Sequence, residues 1–243
     1  MKFGILVFTS PQRELVPEYI QRLVTRVSEL GHISTLLYED NIQLRFGFDN
    51  AVYYNGKPLE KFDAIIVLAG FQADPSIHAT TIRQFELEGI VVVNGYVGVH
   101  RAKNKIRTLQ LLHHFGLPMP RTVVVRSVDG IDDVIDEFKF PVILKVPYGS
   151  QGLGVFIAES KRSLIPFAEH LLKRGAIKEP IKIQEYIAEA EGKDLRLFVV
   201  VKKVIASMER SAAPGEFRAN FSRGGSVIKI TPTKTEKQLA VEA

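Results

Sequence analysis

The sequence predicts a mixed α/β protein: a parallel, helix-covered sheet in the N-terminal third, then lobes that combine strands and helices in α+β fashion. Three observations carry this. Short β-branched apolar runs alternate with helically periodic segments over roughly the first 95 residues. From Ile181 the pattern changes to closely spaced strands of antiparallel type. The chain has 243 residues, 46% hydrophobic and 24% charged, which is ordinary globular usage and long enough for one large domain or two to three small ones.

The elements follow in order. Lys2–Thr9 is a short apolar run, read as a buried strand. The spacing of Leu15, Ile20, Leu23, Val24, Val27 and Leu30 predicts a helix from Pro11 to Leu30, stopped by Gly31. Strands are predicted at Ile33–Tyr38 and Asp63–Leu68, with Asn55-Gly56 as a hairpin signal between them. Ser76–Glu88 reads as helix and Ile90–Val93 as strand.

A new register begins near Val97. A helix is expected over Lys103–Phe115, facing the core and ending in His113-His114, which have no partner at metal-ligand spacing. Gly116–Pro120 makes a rigid connector. Then come strand Arg121–Val125, helix Ser127–Phe138 with Ser127 as N-cap, strand Pro141–Val146, a Gly-rich loop, strand Val155–Ala158 and helix Lys161–Lys173. Phe138 and Phe140 are read as core. Strands follow at Ile181–Gln184, Leu195–Val201 and Val204–Arg210, with Lys202-Lys203 as a tight turn. Residues 211–225 form a long polar loop, Ser226–Ile230 a strand and Thr233–Ala243 a helix.

Composition excludes several functions. With no cysteine there is no disulfide scaffold, cysteine nucleophile or Cys-ligated metal. No apolar run reaches the ~18 residues of a membrane span, and the apolar start is too short for a signal peptide, so a cytoplasmic protein away from membranes is expected. Charge is uneven: residues 1–98 are net −3, residues 99–180 net +5 and residues 181–243 net +3. The basic character could suit RNA, but no dense Lys/Arg run, zinc-finger spacing or aromatic RNA-binding motif supports it.

The Gly-rich loop holds the chemistry: Lys145, then Gly149, Ser150, Gln151, Gly152 and Gly154. Glycines let backbone approach phosphate, and successive N–H groups can cradle an anion. The order G-x-x-G-x-G, between two strands, disfavours a dinucleotide fingerprint, and no P-loop is present. Two readings stand: a flap over nucleotide phosphates, with Lys145 held in an apolar strand to meet an anion, or a flexible hairpin with a surface lysine.

Taken together the motifs resemble the RimK-like branch of the ATP-grasp carboxylate–amine ligases. The likeness runs in order through Arg83-Gln84-Phe85-Glu86, Lys105–Leu112, Gly149–Gly154, Gln184–Ile187, Asp194-Leu195-Arg196, Gly215–Asn220 and Arg223-Gly224-Gly225. It implies an ATP-grasp fold with an N-terminal parallel-sheet domain at 1–98, a central lobe with the flap at 99–180 and a C-terminal lobe, expected to be incomplete, at 181–243. It implies an ATP-dependent ligase that adds glutamate to a protein or peptide C-terminal carboxylate through an acylphosphate, with ATP, glutamate or a similar amino acid, and an acceptor carboxylate on a protein, peptide or small molecule as partners. A non-catalytic nucleotide-binding or regulatory module is the alternative.

The same resemblance assigns roles. Lys145 would hold the α/β-phosphates under the flap, and Lys105 would reach the nucleotide from the connector before the central lobe. Glu185, Tyr186 and Ile187 would bind adenine through main chain. Asp194 would reach the ribose or the metal-side network. Arg196 and Arg210, on adjacent strands, would face the reacting groups. Arg218, Ala219 and Asn220, with Arg223, would bind the γ-phosphate and the nascent acylphosphate, for which the planar guanidinium fork is suited. The pattern also implies Mg²⁺, whose Asp and Glu-x-Asn ligands are expected beyond Ala243. No metal ligand is assigned within the sequence, and turnover by the chain as given is expected to be impaired. An exposed sheet edge leads to an expectation of homo-oligomers.

Overall fold

A computed structural model describes residues 1–8, 16–71, 75–148, 152, 154–173, 179–220 and 224–243. The chain divides into two compact units, Met1–Asn104 and Lys105–Ala243. Among the described residues no helix is long and apolar enough to cross a membrane.

The first unit is built on β1 (Lys2–Val7), α1 (Glu18–Glu29), β2 (Ile33–Tyr38), β3 (Ile42–Leu44), β4 (Val52–Tyr54), β5 (Lys57–Pro58), β6 (Ala64–Leu68), α2 (Pro75–Leu87), β7 (Val91–Val93) and α3 (Tyr96–Ala102). Four strands form a parallel sheet in the order β2-β1-β6-β7. Side chains alternate across it as the pleat requires. Ile5 and Val7 pack with Ile20 of α1, while Leu6 joins Leu37, Ile65, Ile82 and Phe85 in a second cluster. Alternating strands and helices thus give the parallel sheet that the sequence predicts.

Strands β3, β4 and β5 make a small antiparallel sheet. Asn55 and Gly56 turn the β4–β5 hairpin with φ of 50° and 76°, the left-handed pair that favours Asn-Gly. Strand β3 and helix α3 were not expected. β3 is three residues long, and α3 spans only seven residues with Gly98 inside it, so neither presents a pattern long enough to read.

The second unit contains α4 (Lys105–His114), β8 (Thr122–Val125), α5 (Asp129–Asp132), β9 (Val142–Lys145), β10 (Val155–Ala158), α6 (Lys161–Lys173), β11 (Ile181–Glu185), β12 (Lys193–Val200), β13 (Lys203–Ser211), β14 (Ser226–Lys229) and α7 (Lys234–Glu242). One antiparallel sheet runs β10-β9-β11-β8 and a second runs β12-β13-β14.

In the first of these sheets the two faces have different tasks. Val125, Val142, Leu144, Ala158, Ile181 and Ile183 are buried with Leu164 and Ala168 of α6. The ladders pair Lys145 with Val155 and Lys182, Ile143 with Gln184, and Gln184 with Thr122. By strand alternation these residues share the opposite face, which carries the polar groups.

Four expectations are corrected. Ser127–Phe138 is not one helix: α5 covers four residues, and a 3₁₀ turn covers Ile135–Glu137. Gly130, the β-branched Val128, Ile131, Val134 and Ile135, and clustered aspartates disfavour a continuous helix. Ser127 still receives an N–H bond, from Gly130 to its Oγ at 3.2 Å. The β12–β13 turn falls on Val201 and Lys202, with φ of 47° and 64°, one residue earlier than read. Helix α4 buries no residue fully, so it is not core-facing throughout, and His113 and His114 are exposed. Phe138 is buried, but Phe140 is 36% exposed.

Candidate functional site

A cavity of about 360 Å³ opens in the second unit over the polar face of the β10-β9-β11-β8 sheet. Its floor holds Ile143 and Lys145 of β9 and Gln184 of β11. The end of β11 and the chain leaving it contribute Glu185, Tyr186 and Ile187. Asp194 of β12 and the loop residues Phe217, Arg218, Ala219 and Asn220 complete it. Apolar Ile143, Val155, Ile187 and Phe217 beside convergent polar groups suit a flat, partly apolar ligand carrying charge at one end.

Lys145 is half-buried. Its Nζ donates to Gln184 Oε1 at 2.5 Å, and Gln184 Nε2 donates to Thr122 Oγ1 at 2.8 Å. This chain of bonds fixes the lysine head, while burial holds its pKa below the ordinary lysine value. Lys105 starts α4, where its N–H donates to Pro147 O at 3.2 Å. That bond seats the helix start beside the end of β9.

The Gly-rich segment joins antiparallel strands, so it has a flap's connectivity. Gly149, Ser150 and Gln151 lie outside the described residues, as does Arg223. Gly152 and Gly154 have φ of 73° and 70°. Gly154 O accepts from Val146 N–H at 3.1 Å, closing the base of the loop. A Cβ on Gly154 would lie 2.5 Å from Val146 Cγ2, so both the backbone and the close approach require glycine.

Arg218 links the polar loop to this flap. Its Nη1 donates to Gly152 O at 3.2 Å and Val155 O at 3.4 Å. Its Nε and Nη2 hold the Glu216 carboxylate at 2.9 and 2.7 Å. Those donors, with the backbone N–H groups of Arg218 and Phe217, pull the Glu216 pKa down to about 2. Asp194 receives both Nε and Nη2 of Arg210, at 2.7 and 2.6 Å.

The cavity therefore brings together Lys145, Glu185, Tyr186, Ile187, Asp194, Arg218, Ala219 and Asn220 of the expected residues. Arg210 touches it through Asp194. Arg196 is exposed; the register puts it on the Asp194–Arg210 face, although it does not line the cavity among the described residues. Lys105, Gly152 and Gly154 lie outside the described lining but hold its flank and flap. Gln184 and Phe217 add the fixing amide and an apolar wall.

Sequence reasoning missed Lys182, which is 3% exposed. Its signal was available: Ile181-Lys182-Ile183-Gln184 alternates apolar and polar, with Lys182 in the same parity as Gln184. Among the described residues no three His, Asp or Glu side chains gather to hold a metal ion. The described residues therefore supply no such ligand set for Mg²⁺.

The chain is similar to known proteins over most of its length. The sequence model of the RimK-like ATP-grasp domain matches residues 102–243. A probable alpha-L-glutamate ligase of Pseudomonas fluorescens (strain Pf0-1) is 41% identical, over 92% of this chain and 73% of the relative. The RimK domain ATP-grasp protein of Sphaerobacter thermophilus superposes with a TM-score of 0.75 at 18% identity, covering 100% of this chain and 80% of that one. The ATP-grasp ligase PsnB, solved with a phosphomimetic variant of its minimal precursor, Mg and ADP, gives a TM-score of 0.67 at 15% identity, covering 98% and 80%.

Proposed function

The chain belongs to the RimK-like ATP-grasp family, and on that premise we propose that it joins the amino group of glutamate to an acceptor carboxylate, with ATP cleaved to ADP and phosphate. The carrying observation is the single cavity that Lys145, the Glu185–Ile187 segment and Arg218 share beneath the flap. The name of the curated relatives supports glutamate as the incoming amine. The acceptor is a carboxylate on a protein, peptide or small molecule.

An acceptor oxygen attacks the γ-phosphorus of ATP, and the bond to the β-phosphate oxygen breaks, leaving ADP. The glutamate nitrogen then attacks the acyl carbon and loses a proton. The tetrahedral intermediate collapses with rupture of the C–O bond to phosphate. The protein's share is positioning and charge neutralisation. Glu185, Tyr186 and Ile187 hold adenine against the apolar wall of Ile143 and Phe217. Asp194, oriented by Arg210, meets the ribose. Lys145 and Lys105 hold the α- and β-phosphates under Gly152 and Gly154. Arg218 and Asn220 face the transferred phosphoryl group, and Arg196 meets acceptor or amine at the cavity's edge.

ATP should raise the melting temperature of the protein, and Lys145→Ala should abolish that rise while leaving cooperative unfolding. ADP release should require both glutamate and an acceptor carboxylate. An undiminished ATP shift in Lys145→Ala, or ADP release indifferent to glutamate, would contradict the reading.

A further inference from the structure

Lys182 is the second residue of β11, and its neighbours on the two flanking strands are Val124 of β8 and Lys145 of β9. It is 3% exposed, more deeply buried than any other charged residue described. Ile181 and Ile183 on either side of it turn into the apolar core. Strand alternation turns Lys182 the other way, onto the face that floors the cavity.

Among the described residues the charged groups that face it are Lys145, across the ladder, and Lys105, at the start of α4. Both are cations. No salt bridge reaches Lys182 among the described residues. Lys145 differs, since the Gln184 amide oxygen receives its head. A buried ammonium facing two others is costly unless an anion joins it or it gives up its proton. A leucine or methionine would meet the packing demand of this position without that cost.

We propose that Lys182 is a positioning residue for the nucleotide's phosphates: with Lys145 and Lys105 it forms a floor of three cations that gains one proton as a nucleoside polyphosphate binds. This rests on the nucleotide reading of the cavity. The free amine of Lys182 takes its proton from solvent, and the resulting ammonium braces Lys145 against the incoming negative charge. Desolvation and the two neighbouring lysines hold the ligand-free Lys182 pKa down to about 7, so the exchange falls in an accessible pH range. Phosphate charge nearby would raise it again.

The test is calorimetric titration with ATP, at several pH values between 6.5 and 9, in buffers of different ionisation enthalpy. Wild-type protein should take up as much as one proton per ATP above about pH 7. Its affinity should fall by up to about tenfold per pH unit there. Lys182→Met, which keeps the length and volume of the side chain, should lose that uptake and flatten the pH dependence to within about threefold. Loss of ATP binding in a Lys182→Met protein that still melts cooperatively, alongside uptake in wild type, would also uphold a charge role.

Equal uptake and equal pH dependence in the two proteins would overturn the proposal and leave the nucleotide site standing. If Lys182→Met fails to fold, wild type decides: uptake upholds the proposal and its absence overturns it. Failure of the wild-type protein to bind ATP at any pH would overturn the nucleotide reading and this inference together.

Discussion

Replacing Gly154 by alanine perturbs the flap at its base in two separable ways. The residue sits at φ 70°, where a side chain costs about 1–2 kcal/mol. The new Cβ would also lie 2.5 Å from Val146 Cγ2. Relief requires Val146 to leave its position or the loop to open, at about 1–3 kcal/mol by analogy with overpacked cores. Gly116→Ala is the control, because Gly116 has φ 67° but nothing within 4 Å of an added Cβ. Only the first cost applies there. The difference between the variants is therefore about 1–3 kcal/mol. At about 3 °C per kcal/mol it should appear as ~3–9 °C of extra melting-temperature loss in Gly154→Ala. If the loop opens instead, the Val146–Gly154 bond breaks and the same energy appears as roughly 5- to 150-fold weaker ATP binding. Differential scanning fluorimetry and ATP titration read both. Matching values for the two variants in both assays would refute the reasoning that this approach closes the flap.

Three further outcomes follow from the charges. In ligand-free protein Lys182 has a folded pKa below its unfolded value, so between about pH 7 and the ordinary lysine value of 10.5 the unfolded chain binds the extra proton. Stability should therefore rise with pH across that window, and Lys182→Met should raise the melting temperature at pH 7 and remove the slope; an unchanged slope counts against the assignment. Glu216 is opposite in sign: held at about 2 against 4.5, it contributes stability present above about pH 4.5 and lost as pH falls toward 2. Glu216→Gln should flatten acid unfolding in that range, by circular dichroism. Asp194→Ala leaves the largely buried Arg210 guanidinium without its carboxylate and should cost about 1–3 kcal/mol in urea unfolding, with Arg210→Met restoring part of it. Strictly additive losses would mean the pair carries no coupling.

Much of the architecture was legible because it rests on local pattern. The β-branched runs of β1, β2 and β6, each followed by a turn signal, gave the parallel sheet. Asn55-Gly56 turned where its chemistry requires. The failures have two causes. The 127–138 segment has helical spacing of its apolar residues, but Gly130 and the aspartates break the backbone, so periodicity misled where propensity decided. Helix α3 and strand β3 are too short for periodicity to register.

At the site, residues carried by ordered motifs could be named: Lys145, the Glu185–Ile187 segment and Arg218–Asn220 meet at one cavity. What a motif omits was harder to read: strand alternation put Lys182 on the face of Gln184, but not beside Lys145. Lys182 shares a face with Lys145 only because β11 lies antiparallel to β9 in one register, which no local spacing specifies. Likewise, the bond from Arg218 to Gly152 O joins positions 66 residues apart in sequence. The neutralising grip of Glu216 on Arg218 depends on loop geometry that composition cannot supply.

A crystal structure of this chain with a non-hydrolysable ATP analogue tests the nucleotide site most directly. Adenine should lie against the main chain of Glu185–Ile187, with phosphate oxygens within hydrogen-bond reach of Lys145 and covered by Gly152 and Gly154. An analogue bound on another face, or phosphates directed away from both Lys145 and Arg218, would contradict it.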